Sequence, residues 1–204
     1  MRIGIMGGTF DPIHNGHLMI AEAAYSQFQL DEVWFMPNGN PPHKAKQDIG
    51  SDASHRVEMV RLAIMEHAGF RLETYEAEKK DVSYSYATME HFKKLYPKDD
   101  FYFIIGADSL FSIEQWVQLE RIFPTCTILA AYRDEIDTPE EMQSQIEYLE
   151  GKYHAKIELL PSPLLRVSSS QIRRYCMQHI GIKELVPYQV EEYIRKEGLY
   201  ESGY

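Results

Sequence analysis

The residues with the clearest chemical potential lie near the start of the chain, in the segment from Gly7 to His17. Its glycines follow a short apolar stretch and let backbone N–H groups approach a ligand closely. A helix that begins at the end of this segment adds unpaired N–H donors and a positive dipole end, which suit a phosphate. His14 and His17 are three residues apart at that helix start, so both imidazoles can donate hydrogen bonds to one phosphate-bearing ligand.

Two other interpretations of the histidine pair are open. A His-x-x-His pair can bind zinc, but zinc needs further ligands, and no cysteine or carboxylate cluster lies nearby in the sequence. Either histidine could instead cap the helix and bind no ligand. The position of the pair in a glycine turn after a strand favours the phosphate interpretation, and we predict no protein ligands to a metal.

A second candidate phosphate segment lies near the other end of the chain, at Ser168, Ser169 and Ser170. Ser168 is expected to cap a helix, and the three hydroxyls with the first helical N–H groups would form an anion pocket. Arg173 lies within two turns of that pocket and offers several donors to phosphate oxygens. The alternative, a helix cap followed by solvated arginines, is equally compatible with this segment taken alone.

Apolar segments with strand character alternate with segments of helical period along the whole chain. The predicted strands are 2–6, 32–36, 70–75, 101–105, 127–132 and 156–160. The predicted helices are 17–28, 54–67 (capped by Ser54), 84–96, 138–153, 168–178 and 187–196. Such alternation is typical of an α/β fold with a doubly wound parallel sheet, here in one domain over 1–204 that closes with helices from about residue 168. Ligands bind beyond the carboxyl ends of such strands, where the phosphate segments lie.

Composition excludes several classes of protein. The chain has 204 residues, 44% hydrophobic, and a formal net charge of -10, which disfavours a disordered chain and broad electrostatic binding to nucleic acid or anionic membranes. Its apolar runs are too short to cross a bilayer, and no secretory signal fits the amino terminus. Cys126 and Cys176 are isolated, without the spacing of a metal site or disulfide framework. We therefore expect a cytoplasmic globular protein with no nucleic-acid or membrane partner.

Taken together, the two segments resemble those of a known superfamily. Gly-Gly-Thr-Phe-Asp-Pro-Ile-His-Asn-Gly-His and Val-Ser-Ser-Ser-Gln-Ile-Arg are similar to the two loops with which nucleotidylyltransferases hold a nucleoside triphosphate. Over nearly its whole length, the chain resembles the bacterial nicotinate mononucleotide adenylyltransferases. The supporting segments are 36–44, 83–85, 106–108 with Trp116, and Arg133.

The sequence departs from that family's usual pattern at three places. Ser85 and Ser170 stand where the family usually has threonine, and both retain a hydroxyl. Asp134 and Glu135 follow Arg133 where a Pro-Gly pair is common, and they lead into an acidic stretch that extends to Glu150.

The resemblance implies a Rossmann-like nucleotidylyltransferase fold that joins ATP and nicotinate mononucleotide to give nicotinate adenine dinucleotide and pyrophosphate. It implies that His14 and His17 hydrogen-bond the triphosphate and that Arg173 neutralises the departing pyrophosphate, assisted by Mg²⁺ carried on the phosphates. The other residues implied in ATP binding are Gly8, Thr9, Phe10, Gly106, Asp108, Ser168, Ser169 and Ser170. Asp108 could also serve as a helix N-cap.

The resemblance also implies a site for the mononucleotide. Tyr84 and Trp116 would sandwich the pyridine ring, and Ser85 would receive its carboxylate. The remaining residues implied on this side are Asn38, His43, Lys44 and Arg133. Core packing is an alternative for Trp116, and a solvated loop is an alternative for His43 and Lys44.

Two other functions are compatible with the same fold: a sister adenylyltransferase and a nucleotide-binding sensor. A sister enzyme would transfer the adenylyl group to nicotinamide mononucleotide or phosphopantetheine. A nucleotide-binding sensor would need no group that stabilises a transferring phosphoryl, so the set of His14, His17 and Arg173 favours an enzyme. A homodimer is common among soluble enzymes and is the assembly to test.

Overall fold

The protein is represented by a computed structural model that describes residues 1–39, 49–79, 81–132, 138–162 and 166–201. Three predicted site residues, His43, Lys44 and Arg133, lie outside the described residues.

Six strands form one sheet in the order β3-β2-β1-β4-β5-β6. They are β1 (Arg2–Gly8), β2 (Glu32–Pro37), β3 (Phe70–Leu72), β4 (Asp100–Gly106), β5 (Thr127–Tyr132) and β6 (Ile157–Pro161). The pairs β1–β4, β4–β5 and β5–β6 are parallel, with Ile5 opposite Phe103 and Phe103 opposite Ile128. Because β4 lies beside β1, the strand order reverses direction there, as in doubly wound Rossmann sheets. The predicted fold class is confirmed.

Seven α-helices alternate with these strands among the described residues. They are α1 (Asn15–Gln27), α2 (Ala53–Ile64), α3 (Ser85–Leu95), α4 (Ala107–Ser112), α5 (Pro139–Tyr153), α6 (Ser169–Met177) and α7 (Tyr188–Glu197). The sequence does not predict α4, because six residues are too few to show a helical period. No helix in this part of the chain has the length and apolar character to traverse a membrane.

Two local predictions are wrong. Asp52, not Ser54, occupies the N-cap position of α2, so Ser54 lies within the first turn. The third strand ends at Leu72 rather than at residue 75, since the chain turns between Thr74 and Glu78. That turn closes with a bond from the Glu78 N–H to the Thr74 carbonyl at 3.0 Å and one from the Thr74 hydroxyl to the Glu78 carboxylate at 2.6 Å.

Contacts divide the chain into two compact units. The first comprises Met1–Gly7, Met19–Trp34 and Tyr84–Leu164, and the second comprises Gly8–Leu18, Phe35–Ser83 and Leu165–Tyr204. The prediction of a single domain over 1–204 stays a prediction. Apart from Gly7, both predicted phosphate segments fall within the second unit, which makes that unit the starting point for the site.

Aromatic rings form the core of the first unit around Trp34, which is 2% exposed. Phe92, Tyr96 and Phe101 contact its indole edge to face, with ring centroids 5.4, 5.7 and 6.1 Å away. The indole N–H donates to the Glu32 carboxylate at 2.6 Å, so the polar atom of this large side chain is paired. This packing fixes β2 within the sheet.

In the second unit, α7 packs against α2. Their contact includes a hydrogen bond between His55 Nδ1 and the Tyr193 hydroxyl at 2.8 Å. The carboxyl-terminal helix thus belongs to the unit that holds the phosphate segments.

Candidate active site

The loop between β1 and α1 folds around a buried phenylalanine ring. Phe10 is 2% exposed and takes a left-handed backbone conformation with φ of 50°, and the Asp11–Pro12 peptide bond is cis. A Cβ atom at Gly8 would lie 3.0 Å from the Phe10 ring. A side chain at position 8 would therefore press on the buried Phe10 ring, which closes onto the end of β1.

The predicted histidine pair lies at the start of α1 with its rings stacked. The ring centroids of His14 and His17 are 3.7 Å apart and the planes are 21° from parallel, while Phe10 contacts His17 edge to face at 5.0 Å. The backbone N–H of His14 donates to His17 Nδ1 at 3.2 Å. Since Nδ1 accepts this bond, a neutral His17 ring carries its proton on Nε2. The loop thereby selects the donor atom of His17.

Burial determines the charge of His14. The residue is 7% exposed, and the loss of hydration lowers its pKa from 6.5 to about 4. His14 is thus a neutral hydrogen-bond donor at pH 7. Its Nδ1 atom is buried and has no hydrogen-bond partner among the described residues. An unpaired buried polar atom costs free energy of folding, and a bound ligand that paired with Nδ1 would offset that cost.

The absence of a side chain at Gly16 lets two neighbouring groups lie close to the start of α1. A Cβ atom there would lie 3.0 Å from Val167 Cγ1 and 3.1 Å from His14 Nδ1. Val167 immediately precedes the second phosphate segment, so Gly16 marks the place where that segment meets the start of α1.

The serine segment forms the amino terminus of α6 as predicted. Ser168 is the N-cap, and its hydroxyl accepts a hydrogen bond from the Gln171 N–H at 3.2 Å. The Ser169 hydroxyl donates to the Pro12 carbonyl at 2.9 Å, and the Ser170 hydroxyl lies 3.2 Å from that of Ser168. The amino terminus of α6 is therefore bonded to the loop that carries the histidines.

Arg173 makes a second link between these segments. Its Nη1 donates to the Asp11 carbonyl at 2.7 Å and lies 3.4 Å from the Asp11 carboxylate, and its side chain is 25% exposed. Its Nε and Nη2 donate to no atom within the described ranges, which leaves three N–H donors for a ligand. The alternative of solvated arginines fits the exposed Arg174 but not Arg173.

The structure thus brings the two predicted phosphate segments together in one unit. Neutral donors, two helix amino termini and one guanidinium converge there, an arrangement suited to a phosphate chain. The zinc alternative gains no support from neighbouring side chains: the described residues contain no group of three or more His, Cys, Asp or Glu that could hold a metal ion.

Asn38 is the described member of the mononucleotide set that belongs to the second unit. Its backbone N–H donates to the Gly8 carbonyl at 2.9 Å, which places it beside the end of β1. Its Oδ1 atom is buried without a hydrogen-bond partner in the described part of the chain.

The remaining predicted residues lie in the first unit, after β4 and at the start of α3. Gly106 is the N-cap of α4, so the alternative of Asp108 as N-cap is wrong; Asp108 lies exposed in the first turn instead. Tyr84 occupies the N-cap position of α3, and Ser85 is its first residue. Trp116 is half-buried and contacts Phe103 edge to face at 5.9 Å, so part of its ring does pack on the core.

Sequence reasoning missed one buried cation. Arg56 is 1% exposed, and its guanidinium donates to the Thr9 carbonyl at 2.7 Å and the Gly39 carbonyl at 3.3 Å. Burial lowers its pKa, and its Nε lacks a hydrogen-bond partner within the described residues. Arg56 ties the loop after β1 to the loop after β2. A single arginine in a helical pattern carries no signal that would have shown this.

Comparison with known proteins identifies the family to which the chain belongs. Residues 5–175 match the model of the cytidylyltransferase-like family. A probable nicotinate-nucleotide adenylyltransferase from Clostridium kluyveri is 42% identical over 202 residues, covering 98% of this chain and 99% of the relative. The nicotinate-nucleotide adenylyltransferase of Bacillus subtilis is 37% identical over 203 residues, covering 98% and 99%. The chain belongs to the nicotinate-nucleotide adenylyltransferase family.

The fold of this adenylyltransferase family is also found among solved structures. The nicotinic acid mononucleotide adenylyltransferase of Plasmodium falciparum, complexed with NaAD, matches with a TM-score of 0.80 at 23% identity, covering 98% of this chain and 97% of that one. At this identity the match shows the shared fold, and it agrees with the doubly wound sheet described above.

The close contacts of Gly16 generate a first prediction. Gly16→Ala should lower kcat/KM by about tenfold or more, because the added methyl group displaces His14 or Val167 while the helix gains roughly 1 kcal/mol of intrinsic propensity. Steady-state kinetics and thermal unfolding measure the two effects separately. The control is Gly151→Ala in α5, where a Cβ meets nothing within 4 Å and activity should not change. If Gly16→Ala had the parental activity, the close contacts of Gly16 with His14 and Val167 would not be needed for the reaction.

The burial of His14 generates a prediction about acid stability. Its folded pKa of about 4 lies below its ordinary 6.5, so the unfolded chain binds the proton first. Its contribution to stability is complete above pH 6.5 and is lost as the pH falls towards 4. Between pH 7.5 and pH 4.5, wild type should lose roughly 2–3 kcal/mol more unfolding free energy than His14→Asn. Urea titrations at both pH values measure this, and equal losses would contradict the account.

Proposed function

We propose that this protein joins ATP and nicotinate mononucleotide to give nicotinate adenine dinucleotide and pyrophosphate, a step of NAD biosynthesis. The observation that carries the proposal is the bonding of the α6 amino terminus to the β1–α1 loop, from Arg173 to Asp11 and from Ser169 to Pro12. One anion site with donors from both segments results. The names of the relatives supply the acceptor, nicotinate mononucleotide.

The reaction needs positioning and charge neutralisation more than it needs an activated side chain. The mononucleotide phosphate is already an anionic nucleophile, so it can attack the α-phosphorus of ATP directly. Its oxygen forms the new P–O bond while the bond between the α-phosphorus and the bridging oxygen breaks and pyrophosphate leaves with the electron pair. Transfer is then in line and passes through no covalent enzyme intermediate.

Each of the three central residues has a distinct part in this scheme. His17 donates from Nε2 to the α-phosphate as charge accumulates there, because its Nδ1 is engaged by the His14 backbone. His14 supplies a neutral donor, since its burial disfavours the imidazolium. Arg173 offers Nε and Nη2 to the departing pyrophosphate while Nη1 stays on Asp11. Mg²⁺ arrives as part of the ATP complex, carried by the phosphates.

Other parts of the proposal rest on family resemblance. Gly106 and Asp108 would contact the adenosine, and Asn38, Tyr84, Ser85 and Trp116 would contact the mononucleotide. The unpartnered Oδ1 of Asn38 supports a ligand at that position. A homodimer and action in the cytoplasm stay predictions, and both cysteines are free thiols, as a reducing compartment favours.

The decisive assay is release of pyrophosphate from ATP and Mg²⁺ in the presence of different acceptors. We expect turnover with nicotinate mononucleotide and much less with nicotinamide mononucleotide or phosphopantetheine. His17→Ala should lower kcat about a hundred- to a thousandfold, comparable to the loss of one preorganised donor to a developing oxyanion. His67→Ala, which removes an exposed histidine after α2, is the matched control and should retain activity.

Three results would overturn parts of this proposal. If His17→Ala turned over at the parental rate, His17 would have no catalytic role. Turnover only with another acceptor would replace the substrate. ATP binding without pyrophosphate release for any acceptor would favour a nucleotide sensor.

A further inference from the structure

A buried hydrogen-bond cluster surrounds the side chain of Asp11, which is 2% exposed. Asp11 Oδ1 accepts hydrogen bonds from the Ser51 hydroxyl at 2.6 Å and the Tyr200 hydroxyl at 2.8 Å. Oδ2 accepts from the Gly50 N–H at 2.6 Å. We call Asp11, Gly50, Ser51 and Tyr200 the Asp11 cluster. It joins three segments that are far apart in sequence.

Tyr200 can act only as a donor to Asp11 at physiological pH. Burial, and then the charge of Asp11, raise its pKa above the ordinary range. The phenol proton is therefore retained, and the hydrogen bond to the carboxylate is charge-assisted. With both oxygens engaged, the carboxylate has little freedom to rotate. Asp11 is thus a fixed acceptor inside the second unit.

Arg173 rests on this fixed group through polar and apolar contacts. Nη1 bonds the Asp11 carbonyl at 2.7 Å and lies 3.4 Å from Oδ2. The aliphatic stem passes so close to Gly50 that a Cβ atom there would lie 2.7 Å from Arg173 Cδ and 3.0 Å from the Tyr200 ring. The cluster therefore determines where the stem runs and where one end of the guanidinium lies.

We propose that the Asp11 cluster positions Arg173 for the transfer reaction, and that Tyr200, close to the carboxyl terminus, is a positioning residue acting through Asp11. Arginine carries large rotamer freedom, and freezing it before substrate arrives removes that entropic cost from the transition state. Nη1 is bound to the cluster, while Nε and Nη2 are left for phosphate oxygens. The inference rests on the proposed function for the reaction that Arg173 serves.

A double-mutant cycle in kcat tests the coupling. Tyr200→Phe removes one hydroxyl and keeps the ring; it should lower kcat about three- to tenfold, the effect of one hydrogen bond. In an Arg173→Ala background it should have no further effect, because the cluster acts through Arg173. Tyr193→Phe is the matched control: it removes the hydroxyl bonded to His55 in the same unit and should change kcat by less than about twofold.

Two kinetic outcomes would overturn the inference. Equal loss from Tyr200→Phe in both backgrounds would mean that Tyr200 supports the fold generally rather than Arg173. A parental kcat for Tyr200→Phe would mean that its hydrogen bond has no part in the reaction.

A second readout, the NMR order parameter of the Arg173 side chain, does not depend on turnover. In protein labelled with ¹⁵N-arginine, the Arg173 Nε–H signal is assigned as the one that disappears in Arg173→Ala. Its order parameter should fall in Tyr200→Phe, on a scale where rigid groups give about 0.85 and flexible groups less than about 0.6, and should not fall in Tyr193→Phe. An unchanged order parameter would overturn the positioning role. If wild type released no pyrophosphate with ATP and nicotinate mononucleotide, the proposed function would fail while this measurement still decided the positioning.

Gly50→Ala supplies an independent variant should Tyr200→Phe fold poorly. The backbone of Gly50 lies outside the left-handed region, so alanine adds only a methyl group. That group must displace Arg173 Cδ and presses on the Tyr200 ring, while no polar group of the cluster is removed. We expect a fall in kcat of about tenfold, and a parental rate would contradict the proposal.

Discussion

The bonding of α6 to the β1–α1 loop is the constraint on which the site depends. Ser169 and Arg173 donate to the carbonyls of Pro12 and Asp11, residues that precede them by more than 150 positions. A helix amino terminus alone attracts an anion by roughly 0.3–1 kcal/mol at an exposed site. Here the amino terminus of α6 is bonded to the loop that precedes α1, and the Arg173 guanidinium lies against the same loop, so several donors are available to one ligand.

The net charge of -10 does not conflict with binding two polyanions. The donors at the site are mainly neutral: the His14 imidazole, serine hydroxyls and backbone N–H groups. His14 is held uncharged by burial, and the charge of Arg173 is partly offset by Asp11. In the proposed mechanism, catalysis relies on donors fixed in place before substrate binds, rather than on a strongly positive surface. The groups that hold those donors in place, among them the Asp11 cluster, are therefore part of the proposed mechanism.

The sequence predicted what depends on local pattern. The alternating segments, the cap at Ser168 and the pairing of His14 with His17 all follow from spacing and residue type. The sequence did not show Arg56, Ser51 or Tyr200, because each acts through tertiary contacts that leave no periodic signal. Asp11 stood in the matched motif without an assigned role, since only the structure shows which atoms surround its carboxylate. The alternative of Asp108 as an N-cap is wrong, and residue type could not decide it because Gly106 and Asp108 are both acceptable near a helix start.

In the proposed function, the β1–α1 loop and the amino terminus of α6 bind one triphosphate. The most direct test is a crystal structure of the full chain with Mg²⁺ and α,β-methylene ATP, which cannot transfer its adenylyl group. We expect one nucleotide whose phosphate chain contacts His17 at one end of the site and Arg173 with the serines of α6 at the other. A phosphate chain that contacts only one of these segments, with the other turned towards solvent, would contradict the account.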